Sequence, residues 1–170
     1  VIPMSIGSAA SIRVAFHIGT NSFHQARATA ATVYRFSLIY ALIISLLLVL
    51  FRYTLIGIYT TDPAVVAIAA NLLLFIAVYQ IVDDSQAVTI GALRGYKDTQ
   101  VPMYISLVGY WFIALPVGHA LAQGILLPGL APGVYGYWTG LTLGLSIVAV
   151  SVGFRLWHIS GKYLDPSSPS

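Results

Sequence analysis

From Val65 to Gly91 the chain is apolar over a length that crosses a bilayer. Its only charges there are two adjacent carboxylates, in Tyr79-Gln80-Ile81-Val82-Asp83-Asp84-Ser85-Gln86. About 20 predominantly apolar residues span the hydrocarbon core as a helix. In lipid every backbone amide and carbonyl has to be satisfied within the segment, which leaves little but helix for such a run. An Asp near the centre of a membrane helix costs about 2.5 to 3.5 kcal/mol on insertion scales, so it normally faces a cavity and handles an ion or substrate. The pattern predicts part of a membrane transporter.

Composition supports that solvent. Hydrophobic residues make up 58% of the 170 and charged residues 8%, against roughly 25% charged in ordinary soluble domains. The length allows about five crossings in one bundle and no separate soluble domain. The absence of cysteine excludes disulfides and thiolate metal sites. The net charge of +3 does not point to nucleic acid, because the basic residues stand singly at segment ends and never form a run.

The predicted organisation is all-α, a polytopic membrane bundle. Residues 1–19 read as the end of a truncated membrane helix that runs past Arg13, the chain starting partway along it and being a fragment of something longer. Residues 28–59 form the next crossing, with its most apolar part, Phe36 to Phe51, bracketed by Arg35 and Arg52, whose long side chains snorkel outward. Asp62 caps the helix over 64–91 and Pro63 suits its first position. The charged, glycine-containing stretch Gly91 to Thr99 marks its exit. Residues 101–123 form a crossing that Pro116 kinks by freeing the Phe112 carbonyl. Gly124 to Val134 is a loop near the headgroups, 135–158 the last crossing, and 159–170 a polar cytoplasmic tail without fixed structure.

With alternating segments, Arg13, Arg27, Arg35, Arg94, Lys97, Arg155 and Lys162 fall on one side and Arg52 alone on the other. The positive-inside bias places the first group, and the C-terminus, in the cytoplasm. That corresponds to a multi-pass protein of the cell (inner) membrane.

At about 100° per residue, Asn71, Phe75, Tyr79, Asp83 and Gln86 share a helical stripe about 120° wide. Tyr79 lies one turn before Asp83, within reach of its carboxylate, and Gln86 and Asn71 add donors and acceptors. Oxygens so arranged suit Na+, or a proton held by a carboxyl in low dielectric. The competing role for Asp83 is an ion pair with an arginine of another helix. Asp84 points about 100° away, either pairing across to a neighbour or sharing a wet cavity as a second carboxylate. Gly136, Gly140 and Gly144 form a flat strip for close helix packing. His119 lacks a second ligand at metal spacing and reads as a packing residue. No catalytic constellation appears, and the chain is not read as an enzyme.

Three motifs in order, Pro3-Met4-Ser5-Ile6-Gly7-Ser8-Ala9-Ala10-Ser11-Ile12-Arg13-Val14, then Tyr79-Gln80 with Asp83, then Gly91-Ala92-Leu93-Arg94-Gly95-Tyr96-Lys97-Asp98-Thr99, resemble the multidrug and toxic compound extrusion (MATE) family, in particular its NorM-type branch. The resemblance runs from Val1 to about His158. It implies a C-terminal piece, from the end of the eighth to the twelfth crossing, of a transporter with two six-helix lobes. It also implies export of cationic, amphipathic drug-like molecules in exchange for Na+ or H+, membrane lipid and the missing N-terminal lobe as partners, and no cofactor beyond the coupling ion. The family's coupling aspartate corresponds to Asp83, with Tyr79 and Gln86 in the same motif. Asp84 departs from the pattern, which is commonly small and apolar there. The family's companion acid in the seventh crossing, and the whole first lobe, are absent from this chain, which contains no glutamate.

Two other functions fit a helical membrane bundle. A lipid-linked precursor flippase of the same superfamily would carry intramembrane Arg or Lys for its anionic headgroups, where this chain places acids. A small structural membrane subunit would pair Asp83 with a basic partner helix.

Overall fold

The computed structural model describes residues 2–125 and 133–165. Seven α-helices and one π-helical segment follow in order: α1 Ile2–Gly19, α2 Phe23–Leu50, α3 Arg52–Tyr59, α4 Pro63–Gly95, α5 Gln100–Val108, the π-helical segment Gly109–Ala114, α6 Leu115–Ala122 and α7 Val134–Leu164. There is no strand among the described residues. Among the described residues, four helical stretches are long and apolar enough to cross a membrane: Phe23–Leu50, Pro63–Gly95, Gln100–Ala122 and Val134–Leu164. Large apolar side chains such as Phe36, Ile58, Trp111, Phe112 and Val150 point outward, the arrangement expected when the solvent is lipid.

α4 is the hub. It packs against α1, α2, α3 and α7, and the π-helical segment and α6 reach the bundle through α7. Small residues make this closeness attainable. A Cβ on Gly91 would run into the backbone of Gly7, and one on Gly95 would meet Val14 and the Ser11 carbonyl. α1 and α4 therefore run parallel in near backbone contact. Gly140 lies in the same way against Gly118, and Gly144 against Ala114, so two glycines of the predicted strip seat the π-helical segment and α6 on α7.

The carboxylate of Asp62 accepts from the Ala64 amide at 3.0 Å, with Pro63 opening α4. At the other end Lys97 adopts φ 62°, and the Asp98 amide donates to the Leu93 carbonyl at 3.0 Å. That is the left-handed turn which closes a helix by satisfying its last carbonyls. Asn21 (φ 56°) closes α1 in the same manner, the Ser22 amide donating to the His17 carbonyl at 2.8 Å.

Several boundaries differ from the sequence expectation. α2 begins at Phe23 rather than Ala28, and α7 continues to Leu164 rather than ending at His158. The physical reason is one aromatic cluster: the Tyr163 ring packs on Phe23 (5.4 Å between centroids) and on Tyr96 (5.3 Å), so the predicted tail is helical as far as Leu164. The segment predicted as one helix over 28–59 breaks at Phe51 (φ −101°, ψ 13°). Arg52 turns back there and donates from Nη1 to the Val49 carbonyl at 2.9 Å, its guanidinium lying 4.8 Å over the Tyr53 ring. The bend expected from Pro116 takes the form of the π-helical segment just before it, where the Leu115 amide reaches the Tyr110 carbonyl. A proline without an N–H and a widened turn next to it are two sides of one adjustment. Most of the predicted Gly124 to Val134 loop, and residues 166–170 of the predicted tail, lie outside the described residues.

Candidate functional site

The polar stripe of α4 meets an aromatic wall. Asn71, exposed, donates from Nδ2 toward the Tyr135 hydroxyl at 3.5 Å, and Phe75 packs on the Tyr135 ring at 5.9 Å. One turn on, Tyr79 meets Trp138 edge to face at 5.8 Å. At the inner end Gln86, buried, donates from Nε2 to the Tyr110 hydroxyl at 3.1 Å. α4 supplies the polar groups, α7 two of the aromatic rings and the π-helical segment a third. The widened turn matters because it presents Tyr110 toward α4.

Asp83 lies within this wall. Its carboxylate is half-buried, near enough to the Tyr79 and Tyr110 hydroxyls for its charge to act on both. No hydrogen bond joins Tyr79 to Asp83, and no arginine or lysine among the described residues pairs with Asp83. Elsewhere Arg155 Nε donates to Asp98 Oδ2 at 2.7 Å in an ion pair that ties the α4–α5 turn to α7. Asp83 is thus a carboxylate in a membrane-spanning helix, without an ion-pair partner among the described residues and near two phenols, of which Tyr79 packs on an indole and Tyr110 bonds an amide. Hard oxygen donors of this kind hold a proton or an alkali cation, and aromatic faces hold organic cations.

Asp84 sits in a different environment. α4 buries Ala70, Ala77, Asp84 and Gly91 at every seventh position, so the acid occupies a seam otherwise made of small residues. It is 2% exposed, and its Oδ2 has no hydrogen-bond partner. Two contacts between the antiparallel helices α2 and α4 fix what faces it. Ser45 Oγ donates to the Ala77 carbonyl at 2.8 Å, and Ser85 Oγ to the Tyr34 hydroxyl at 2.8 Å. Between those points the register sets Ser37, itself fully buried with an unpartnered Oγ, opposite Asp84. The two neighbouring carboxylates therefore face different helices, which matches the 100° offset along α4. No arginine or lysine among the described residues pairs with Asp84 either.

The structure adds residues that periodicity alone does not reveal. Tyr110, Tyr135, Trp138 and Tyr34 belong to helices whose register against α4 is a tertiary property. Pro116, six residues after Tyr110, is the one sequence signal that bears on how Tyr110 is presented. His119 shares a 3.0 Å hydrogen bond with the Tyr137 hydroxyl. No group of three metal-ligating side chains occurs among the described residues.

The likeness to known proteins follows this geometry. The chain is 37% identical over 160 residues to the multidrug resistance protein MdtK of Proteus mirabilis, a match covering 94% of this chain and 35% of that protein. It is 38% identical over 165 residues to the multidrug resistance protein PmpM of Pseudomonas aeruginosa (96% and 34%). It is 39% identical over 160 residues to a Shewanella oneidensis protein described as a probable multidrug resistance protein NorM (94% and 34%). The chain thus spans about a third of the length of the curated relatives it matches. The crystal structure of the eukaryotic MATE transporter AtDTX14 shares its fold, with a TM-score of 0.80 at 24% identity over 95% of this chain and 36% of that one. The sequence profile of the MatE family matches residues 1–119, well over half of the chain. A family of membrane transporters, with enzymatic chemistry in none of these descriptions, accounts for profile, relatives and fold together: the chain belongs to the MatE family.

Proposed function

We propose that this chain contributes the cation-coupling part of a multidrug exporter that works by antiport, moving cationic amphipathic compounds outward in exchange for Na+ or H+. The reading is supported most directly by Asp83, a half-buried carboxylate with no counter-ion among the described residues, set in a membrane-spanning helix against Tyr79, Tyr110 and Trp138. A permanent ion pair would leave nothing to exchange. In this mechanism the coupling cation neutralises Asp83, and an organic cation uses the same negative charge and the neighbouring aromatic faces. Each ligand then weakens the other's hold, which couples their movements if the two lobe arrangements bind them unequally.

Gln86 positions Tyr110 at the inner end of the stripe. Asn71, on the exposed outer part, meets the entering ligand. Asp84, in its separate seam, sets local charge without touching the cargo. The basic end of the bundle, with Arg27, Arg94, Arg155 and Lys162, faces the cytoplasm of the inner membrane and carries the C-terminus with it.

The test uses the full-length transporter in inverted membrane vesicles, with a fluorescent lipophilic cation supplied in the medium and its accumulation in the lumen measured. Asp83→Asn abolishes transport driven by a Na+ or proton gradient while insertion and yield stay at wild-type level. Applying each gradient alone identifies the coupling ion. Full gradient-driven transport by the Asn variant overturns the assignment.

A further inference from the structure

A groove of ≈ 400 Å³ runs between α2 and α7 at the basic end of the bundle, with Thr89 of α4 at its floor. Its walls are mainly apolar: Ala30, Ala31 and Tyr34 on one side, Ala149, Gly153 and Leu156 on the other, with the small residues leaving a trough between the larger ones. Gly153 faces open space, since a Cβ built there meets nothing within 4 Å. Arg27 and Arg35 stand on one wall, both exposed and without an ion-pair partner among the described residues. Eight residues apart on α2, they are separated by two turns, about 12 Å along the axis. Trp157, 61% exposed, stands on the α7 wall.

We propose that this groove is a binding site for an anionic phospholipid, its phosphate held by Arg27 and Arg35 and an acyl chain lying in the trough past Gly153. Each part of the groove answers to a part of that molecule. Unpaired guanidinium groups make charge-assisted, bidentate hydrogen bonds to phosphate oxygens. An interfacial tryptophan sits at headgroup level with its indole N–H free to donate. The trough left by Ala30, Ala31, Ala149 and Gly153 takes a hydrocarbon chain, with Leu156 adding apolar contact. Basic pockets between membrane helices are a recurrent setting for anionic headgroups. A cationic cargo molecule is disfavoured by the same two charges, so the groove is distinct from the Asp83 stripe in sign as well as position.

The experiment measures lipid retention by the purified full-length transporter, a readout independent of efflux and of Asp83. Protein in nanodiscs of phosphatidylcholine with a minor fraction of phosphatidylglycerol is extracted, and bound lipid is identified by native mass spectrometry. Retention of phosphatidylglycerol over phosphatidylcholine is expected. The double variant Arg27→Gln/Arg35→Gln reduces that preference by roughly 30-fold, taking each basic side chain at the surface at its usual worth. Gly153→Leu, which the open space tolerates, reduces it while leaving both arginines in place. Arg13→Gln, which removes an exposed positive charge outside the groove, leaves it unchanged. Loss of preference in Arg13→Gln equal to that of the double variant, or full retention in Gly153→Leu, overturns the site in favour of diffuse surface charge. Equal retention of the two lipids by the wild type overturns it outright.

Discussion

Gln86 and Tyr110 bind the inner part of the membrane-spanning α4 to the π-helical turn through a 3.1 Å hydrogen bond from the amide nitrogen to the phenol oxygen. Gln86 is 6% exposed, so removing the Tyr110 hydroxyl strands the amide away from water, whereas Tyr110 is only half-buried. Side-chain hydrogen bonds between membrane helices average about 0.6 kcal/mol in double-mutant cycles. Tyr110→Phe and Gln86→Leu should therefore each lower the unfolding free energy modestly. The double variant should lose less than the sum, leaving a coupling energy of about that size. A cycle of four unfolding titrations in the full-length protein measures it, and strict additivity would show that the contact contributes nothing.

The backbones of Gly7 and Gly91 touch, and that contact sets the distance between α1 and α4. A methyl group at position 91 has backbone rather than a flexible side chain in front of it. Gly91→Ala must therefore push two parallel helices apart, a case of overpacking that typically costs 1 to 3 kcal/mol. Gly57 in α3 is the comparison, because a Cβ there meets nothing within 4 Å. Gly57→Ala should be neutral or stabilising by up to about 1 kcal/mol through helix propensity alone. Thermal unfolding of the two variants in the same detergent should show a lowered midpoint for Gly91→Ala and an unchanged or raised one for Gly57→Ala.

These two relationships also show where sequence reasoning reaches and where it stops. The helical class, the crossing that carries Asp83, its start at Asp62-Pro63 and the glycine strip of α7 are legible because each rests on a local rule: run length, capping chemistry or four-residue spacing. The pairing of Gly91 with Gly7 and of Gln86 with Tyr110 depends on the register of one helix against another, which no local rule contains. The break at Phe51 falls in an uninterrupted apolar run, and the contact that accompanies it, the Arg52 side chain turned onto the Val49 carbonyl, is one that outward snorkelling does not predict. Periodicity separated Asp83 from Asp84 by about 100°. It could not tell that one direction leads to an aromatic wall and the other into a seam of alanine and glycine beside Ser37.

Lys97 holds a left-handed conformation, φ 62°, at the turn that ends α4. A side chain with a Cβ pays roughly 1 to 2 kcal/mol for that backbone region, and glycine does not. Lys97→Gly should raise stability by about 1 kcal/mol, less whatever the greater freedom of the unfolded chain takes back. A shifted midpoint in denaturant with an unchanged slope would confirm that the native turn is the source. A loss of stability would show that the lysine side chain makes contacts that outweigh its backbone strain.

Tyr96, just beyond the end of α4, is buried, and its hydroxyl has no hydrogen-bond partner. Burial pushes its pKa from 10.0 up to about 12, with nearby Arg27 pulling it down and Tyr163 pushing it up. A phenol whose folded pKa exceeds its unfolded value resists ionising in the native state. Its contribution to stability is complete below pH 10 and disappears as pH rises through 12. A shift of this size corresponds to an order of 2 kcal/mol across that window. Tyr96→Phe removes both the titration and the unpartnered hydroxyl. At pH 8 the variant should be as stable as the parent or slightly more so. Between pH 10 and 12 it should lose less stability than the parent, by that same order. Parallel pH–stability curves for parent and variant would mean that Tyr96 ionises as freely in the folded protein as in the unfolded chain, contrary to its burial with Val14, Ala92 and the Tyr163 ring.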